Sequence, residues 1–409
     1  MSSTVFFDAL ETRDPAAREA ALLAALPAQI AHAQAASPAY AELLAGVDAA
    51  AITSRAALAA LPLTRKSSLS AAQAARRTLR LGGYAAGAPR RIFQSPGPLY
   101  EPEPDAAAAD PWRMARALYA AGIRAGQLAH VGFSYHLTPA GAMVEAGLRA
   151  LGAASLPGGV GNTELQLQAL LDLRPEAYAG TPSLLRILLE KAAEPLSLRH
   201  ALVSGEACPP PLVAWFAERG VTVRQCYATA DLGLIAYETP AREGLVVDEG
   251  VLVEIVRPGS GDPLPDGEVG EVVVTTLSPG YPLIRFATGD LSAVLPGLSP
   301  CGRTNQRLRG WLGRADQSAK VRGMFVHAGQ VAELLRRHPE LRRARLVVEG
   351  EMADDRMTLL AEAAEAAPGL EAAVTATLRD LTKLRGEVRL VAPGSLPNDG
   401  KVIEDLRAV

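Results

Sequence analysis

The sequence predicts an α/β protein: a large N-terminal domain of layered α/β sheets that includes an antiparallel, β-barrel-like subdomain, and a small C-terminal α+β cap. Three observations carry this reading. Between Gln127 and Tyr227 short apolar runs alternate with segments of helical period, the mark of repeated β-α units around a buried parallel sheet. After Gly250, β-branched runs are separated only by turn-rich stretches such as "RPGSGDPLPDG", which leaves no room for helices. Beyond Gly313 the order becomes strand, helix, strand, strand, helix, strand; such a segment of about 100 residues can form a core of its own.

Up to about Ala75 the chain is alanine-rich and helical in pattern, with breaks expected at Pro27, Pro38 and Pro62. "QLAHVGF" then reads as a strand, "PAGAMVEAGLRAL" as a helix opened by Pro139, and "AASLPGG" as a second strand and turn. The alternation continues through "TELQLQALLDL", "EAYAG", "PSLLRILLEKA", "HALVSG", "PPLVAWFAERG" and "VTVRQCY". Ligands are expected at the carboxyl ends of such strands, where "VSGEA" and "CYATADLG" begin. "VLVEIV", "GEVGEVVVTT" and "PLIRF" are the strands expected after Gly250, and "RGWLGRADQ" holds the boundary between domains 1–312 and 313–409.

Composition narrows the function. The 409 residues are 49% hydrophobic and 21% charged, and 41 Lys and Arg stand against 44 Asp and Glu. A balance this even gives no general attraction to nucleic acid or to anionic membranes, so a small-molecule substrate is expected. The start "MSSTVFFDALETRDP" lacks a basic segment followed by an apolar one, and no later apolar run spans a bilayer; the expected location is the cytoplasm. Cys208, Cys226 and Cys301 lie far apart and form no CxxC pair, so neither a disulfide framework nor a local zinc module is written in the chain.

Five stretches, "LPLTRKSSL", "GNTELQLQALLDLRPEAYAGTPS", "YPLIRFATGDL", "GRADQSAKVRGMFV" and "LPNDGK", occur in this order after "FFDALETRDPA". Together they resemble the adenylate-forming acyl-CoA ligases, and most closely the phenylacetate-CoA ligase branch. The resemblance implies an enzyme that joins an aryl or related carboxylic acid to the α-phosphate of ATP, then passes the acyl group to coenzyme A. It further implies Mg²⁺, because bringing two anions together requires positioned positive charge. A homodimer is implied by the same resemblance.

Residue by residue, Lys401 matches the lysine that bridges the substrate carboxylate and the α-phosphate; taken alone, a lysine at a turn is a solvated charge. Asp290 matches the acceptor of both ribose hydroxyls, with a turn residue at a strand end as the plain alternative. Arg314 would add a ribose or phosphate contact, and Asp316 matches the hinge about which the cap turns. Ser204, Gly205, Glu206 and Ala207 match the segment along the adenine, and Tyr227 the ring that stacks on it, although a tyrosine there is also ordinary core material. Asp231 stands where the branch has its Mg²⁺-binding glutamate, with Thr229 as the phosphate-facing hydroxyl. For the acid, Phe133, Tyr135 and His136 are pocket candidates, each of them equally suited to packing.

The chain departs from the branch in two places. Where relatives carry a Ser/Thr- and Gly-rich phosphate loop with a lysine, this one reads "FQSPGPLYEPE", leaving Ser95, Gly97 and Pro98 as remnants. Pro96 and Pro98 have no amide hydrogen to offer a phosphate. Weakened pyrophosphate holding is expected; a protein that binds an adenylate or CoA without making it is the competing reading, and a loader of an external carrier protein the third. Where relatives often hold a structural zinc, only Cys301 remains, with Thr239, Val246 and Ser299 at the other expected positions. One thiolate cannot build a tetrahedral zinc site, so no structural zinc is expected.

Overall fold

In a computed structural model, residues 5–407 are described apart from 96–97, 316, 322–323, 351–355 and 365–366. The chain divides into two compact units: Met1–Val253 with Val274–Phe286 and Leu295–Gly310, and Glu254–Val273 with Ala287–Val294 and Trp311–Val409. The unit that contains the expected cap therefore also takes in two earlier pieces of chain.

In the first unit, five parallel strands lie in the order Ala154–Leu156, Leu128–Gly132, Ala177–Gly180, His200–Val203, Thr222–Thr229. Gly233–Glu238, Leu245–Val247 and Arg307–Leu308 extend them antiparallel. Strand side chains alternate between faces, and both faces are covered. Ala177, Ala179 and Leu202 join a core with residues of helices Met114–Ala120 and Ala140–Leu151. Tyr178, Ala201 and Val203 join another with Leu170, Leu185 and Phe216, from helices Thr163–Leu173, Pro182–Lys191 and Pro210–Glu218. The helices Met114–Ala120 and Ala140–Leu151 approach so closely at Gly147 that a Cβ there would stand 2.7 Å from that of Met114.

Two expectations need correction. Pro27 does not break its helix, which runs unbroken over Pro15–Ala36; Asp14 caps its start, and buried Leu22, Leu26, Ile30 and Ala33 hold it across one missing amide. "PLIRF" is not a strand. Arg285 takes a left-handed φ of 45°, incompatible with a strand, and its guanidinium donates to the carbonyls of Ala59 and Leu61. The strand starts at Phe286 and runs to Ser292, which puts Asp290 inside it. With Thr64–Arg65, Gly270–Thr276 and Val251–Val256 it forms a four-stranded sheet; closure into a barrel is not among its described pairings.

In the second unit a four-stranded sheet runs Glu387–Val391, Arg356–Ala363, Leu341–Glu349, Ile403–Asp405. Helices Ala328–Arg337 and Leu370–Thr382 cover it with Val331, Leu334, Val374 and Leu378. The three-residue strand Ile403–Asp405 was not foreseen; it pairs parallel with Leu341–Glu349.

His130 lies mid-strand with no exposed surface, its ring stacked on Tyr178 with centroids 5.7 Å apart. Burial pushes its pKa down to about 4, with Gln166 only partly opposing. Between the ordinary value of 6.5 and about 4 the unfolded chain therefore takes up a proton that the folded one does not. Stability is full above that window and falls as pH drops through it. His130→Gln is expected to make the melting temperature less sensitive to pH between 7 and 5 than in the parent chain.

Candidate functional site

Residues of the first unit gather at the carboxyl ends of its parallel strands. Phe133 directly follows Leu128–Gly132 and is buried in the core, while Ser204 follows His200–Val203 and donates its hydroxyl to the Cys226 carbonyl at 2.9 Å. Gly205 has a φ of 82°, and a Cβ there would meet Thr181 at 3.9 Å and Phe133 at 4.0 Å. The strand ends thus converge. Glu206 accepts from the amide and hydroxyl of Ser183 at 3.2 and 2.9 Å, so its carboxylate sits on the first turn of helix Pro182–Lys191; Ala207 beside it is exposed. Tyr135 lies over Gly141 in the first turn of helix Ala140–Leu151, and both it and His136 are exposed.

Tyr227, Thr229 and Asp231 lie around one hairpin. A register shift between Tyr227 and Ala228 marks a bulge, the device by which a strand re-aims its side chains. The Thr229 hydroxyl accepts from the Leu232 amide at 3.2 Å and shapes the turn. Leu234 donates its amide to the Trp112 carbonyl at 3.0 Å, and a Cβ on Gly233 would stand 2.8 Å from that same oxygen. Arg113 donates to the carbonyls of Leu232 and Leu234. Asp231 is thereby fixed, 4% exposed.

Its neighbours were not anticipated. The Lys66 ammonium donates to Asp231 Oδ2 at 3.1 Å. Glu101 lies 1% exposed on the strand Leu99–Pro102, which pairs with Ile92–Ser95 to form a hairpin in the place expected for the phosphate loop. Pro96 and Gly97 lie outside the described residues. The Ser95 hydroxyl donates to Glu101 Oε1, so it is engaged within the protein. Burial, then the charge of Asp231, push the Glu101 carboxyl up to about 8. A signal for Glu101 was present: in "LYEP" the period of two places Leu99 and Glu101 on the same, buried face, with Tyr100 exposed.

In the second unit Asp290, mid-strand, accepts from Arg314 Nη1 at 3.1 Å and from the Trp311 indole at 3.1 Å. The main chains of Asp290 and Arg314 also form a bridge. Lys401 is half-exposed, 3.2 Å from Glu404. Its turn is held from several sides. Gln317 donates to the Gly400 carbonyl at 2.9 Å and accepts from the Val402 and Ile403 amides at 2.5 and 2.8 Å; Arg345, 5% exposed, pairs with Asp399 and Glu404. Arg314, Gln317, Lys401 and Glu404 line one cleft of about 280 Å³ with Leu291 and Leu312. Asp316 lies outside the described residues.

The positions expected to match a zinc site do come together in part. Cys301 is hydrogen-bonded to Ser299 at 3.1 Å, to Arg303 at 3.5 Å and to Thr239, while Val246 is in the apolar core. Burial raises the Cys301 thiol pKa, but these hydrogen bonds outweigh it and bring the net value down. One thiol and two hydroxyls do not suit tetrahedral zinc. Among the described residues no group of three or more His, Cys, Asp or Glu is placed to hold a metal ion, and no helix is long and apolar enough to cross a membrane.

Residues 141–281 match the family model described as AMP-binding enzyme. Phenylacetate-coenzyme A ligase of Thermus thermophilus is 34% identical over 240 residues, 56% of this chain and 54% of that protein. The enzyme of the same name from Escherichia coli is 32% identical over 233 residues, 54% of this chain and 53% of that one. The chain thus spans about half the length of the curated relatives it matches. Among solved structures, 2-hydroxyisobutyryl-CoA ligase in the postadenylation state superposes with a TM-score of 0.72 at 25% identity, over 99% of this chain and 93% of that one. The same ligase in an open conformation, with its acyl-AMP and CoA, gives 0.72 at 24% identity, over 97% and 93%. The α/β fold is that of adenylate-forming acyl-CoA ligases.

Gln317→Ala is expected to speed amide hydrogen exchange at Val402 and Ile403 by about tenfold, the equivalent of one lost hydrogen bond of about 1–1.5 kcal/mol. Metal analysis of the purified chain is expected to find no stoichiometric zinc.

Proposed function

We propose, starting from a chain that is homologous to the phenylacetate-CoA ligases and carries the adenylate-forming fold, that it is an AMP-forming acid:CoA ligase acting on an aryl or related carboxylic acid. What supports this above all is the cleft in the second unit, which Lys401 and Arg314 both line and where Arg314 also holds Asp290. Two cations and a ribose-type acceptor fit a nucleotide monophosphate ester better than they fit a structural ion pair.

In the first half-reaction the substrate carboxylate oxygen attacks the α-phosphorus, a P–O bond forms, and pyrophosphate departs. In the second the CoA thiol loses its proton and attacks the acyl carbon, and AMP leaves with the C–O bond electrons. Lys401 lowers the repulsion between carboxylate and α-phosphate, and removing such a group costs about 10²–10³ in rate. Asp290 accepts the ribose hydroxyls, oriented by Arg314. Ser204, Gly205, Glu206 and Ala207 form the edge along the adenine, with Tyr227 against its face. Phe133 closes the acid pocket, with Tyr135 and His136 at its mouth, and Thr229 turns its hydroxyl between the Leu232 amide and a phosphate oxygen. Asp231 would hold Mg²⁺, which supplies positive charge to the phosphates. Residues 313–409 act as the cap, turning about Asp316 between the two half-reactions. We extend the reading to a cytoplasmic enzyme assembled as a homodimer.

One observation favours a second reading, binding without turnover: where Ile92–Ser95 pairs with Leu99–Pro102, the Ser95 hydroxyl is already engaged with Glu101.

The test is pyrophosphate release with ATP, Mg²⁺, CoA and a panel of aryl and short aliphatic acids. Acid-dependent release that falls about 10²–10³-fold in Lys401→Ala is the expected result. Silence in both proteins, with AMP still bound, would instead support the second reading.

A further inference from the structure

The Asp290 carboxylate is held by two donors on the same oxygen. Arg314 Nη1 and the Trp311 indole nitrogen both donate to Oδ1, each at 3.1 Å. The main chain fixes where both donors start: the Leu312 and Ala315 amides donate to the carbonyls of Leu291 and Gly289, and the Leu291 amide donates to the Gly313 carbonyl. The Arg314 guanidinium lies over Gly289, where a Cβ would stand 2.5 Å from its Nη2.

The two bonded groups differ in their access to water. Asp290 is 9% exposed and Trp311 is 59% exposed. An indole nitrogen can only donate, and one on so exposed a ring could be satisfied by water. It is aimed at the largely buried carboxylate instead. A carboxylate oxygen carries two lone pairs, and both of those on Oδ1 are engaged by these donors, so the carboxylate cannot turn without breaking a charge-assisted bond. A ribose presents two neighbouring hydroxyls, and an acceptor whose plane is set in advance receives them with less ordering to lose.

We propose that Trp311 is a positioning residue for the ribose: its indole N–H, with Arg314, sets the plane of the Asp290 carboxylate before a nucleotide arrives. The proposal rests on the ligase reading in taking Asp290 as the acceptor of the ribose hydroxyls. Trp311 acts through that carboxylate rather than on the substrate. Neither of the flanking motif stretches, "YPLIRFATGDL" and "GRADQSAKVRGMFV", contains it.

The test is calorimetric titration of the full chain with AMP and with 2′,3′-dideoxy-AMP, for the parent and for Trp311→Phe, which keeps a ring and removes the N–H donor. Melting temperatures measured alongside show that both fold. Trp311→Phe is expected to weaken AMP binding about three- to tenfold and to leave dideoxy-AMP binding unchanged, so the preference for the ribose hydroxyls falls by the same factor. Equal losses with both nucleotides overturn the proposal, because a role in packing alone does not depend on the hydroxyls. AMP bound by Trp311→Phe as tightly as by the parent also overturns it, and tighter binding would mark the indole as a competitor that the ribose displaces. In each of these cases acid-dependent pyrophosphate release by the parent keeps the ligase reading. A loss confined to AMP, beside an absence of pyrophosphate release, upholds the role of Trp311 while the ligase reading fails. No binding of AMP by the parent, together with no release, overturns both.

Discussion

The hydrogen bond from the Leu234 amide to the Trp112 carbonyl is the constraint on which the first unit's site depends. It ties the hairpin that follows the last parallel strand to a fully buried tryptophan, and only a glycine at 233 allows the approach. From that fixed point the bulge at Tyr227 and Ala228 takes its place, the Asp231 carboxyl is held inside, and the Lys66 ammonium has something to pair with. Lys66 opens its own helix, Lys66–Ala75, so two segments far apart in sequence are brought to one carboxylate. A packing constraint in the core thus determines an electrostatic one at the edge.

The second unit solves a different problem. Lys401 is half-exposed, and an exposed lysine has many rotamers to lose. The chain leaves the ammonium half-exposed and fixes the main chain instead, through Gln317 on both sides of residue 401 and through buried Arg345 on Asp399 and Glu404. Asp290 is treated in the opposite way: its backbone is set by the strand and its carboxylate is held directly by Arg314 and Trp311.

The sequence made the β-α alternation legible because strands buried on both faces and helices of regular period leave strong patterns; nine segments from "QLAHVGF" to "VTVRQCY" have their counterparts in the structure. It failed where a single backbone torsion decides. Nothing in "PLIRF" says that Arg285 is left-handed, since the cause is the distant carbonyls of Ala59 and Leu61. Pro27 misled because a proline's local cost was weighed without the long buried stripe that offsets it. At the site, residues carried by a motif could be named, but Glu101, Lys66, Gln317 and Arg345 act through partners 54 to 165 positions away. No window of sequence contains such pairs.

Gly400 gives the lysine turn a property of its own. It adopts a φ of 71°, and a Cβ there would stand 2.6 Å from Val269 and 3.0 Å from Leu291. Asn398 meanwhile exchanges hydrogen bonds with Val269 and Gly267. The direction in which residue 401 leaves the turn is therefore written in main chain and in apolar contacts that carry no charge. The transferable module is not the hexapeptide "LPNDGK" but that hexapeptide with its seat at 267–269, Leu291, Gln317 and Arg345. Grafted elsewhere without that seat, the same six residues would keep their letters and lose their aim.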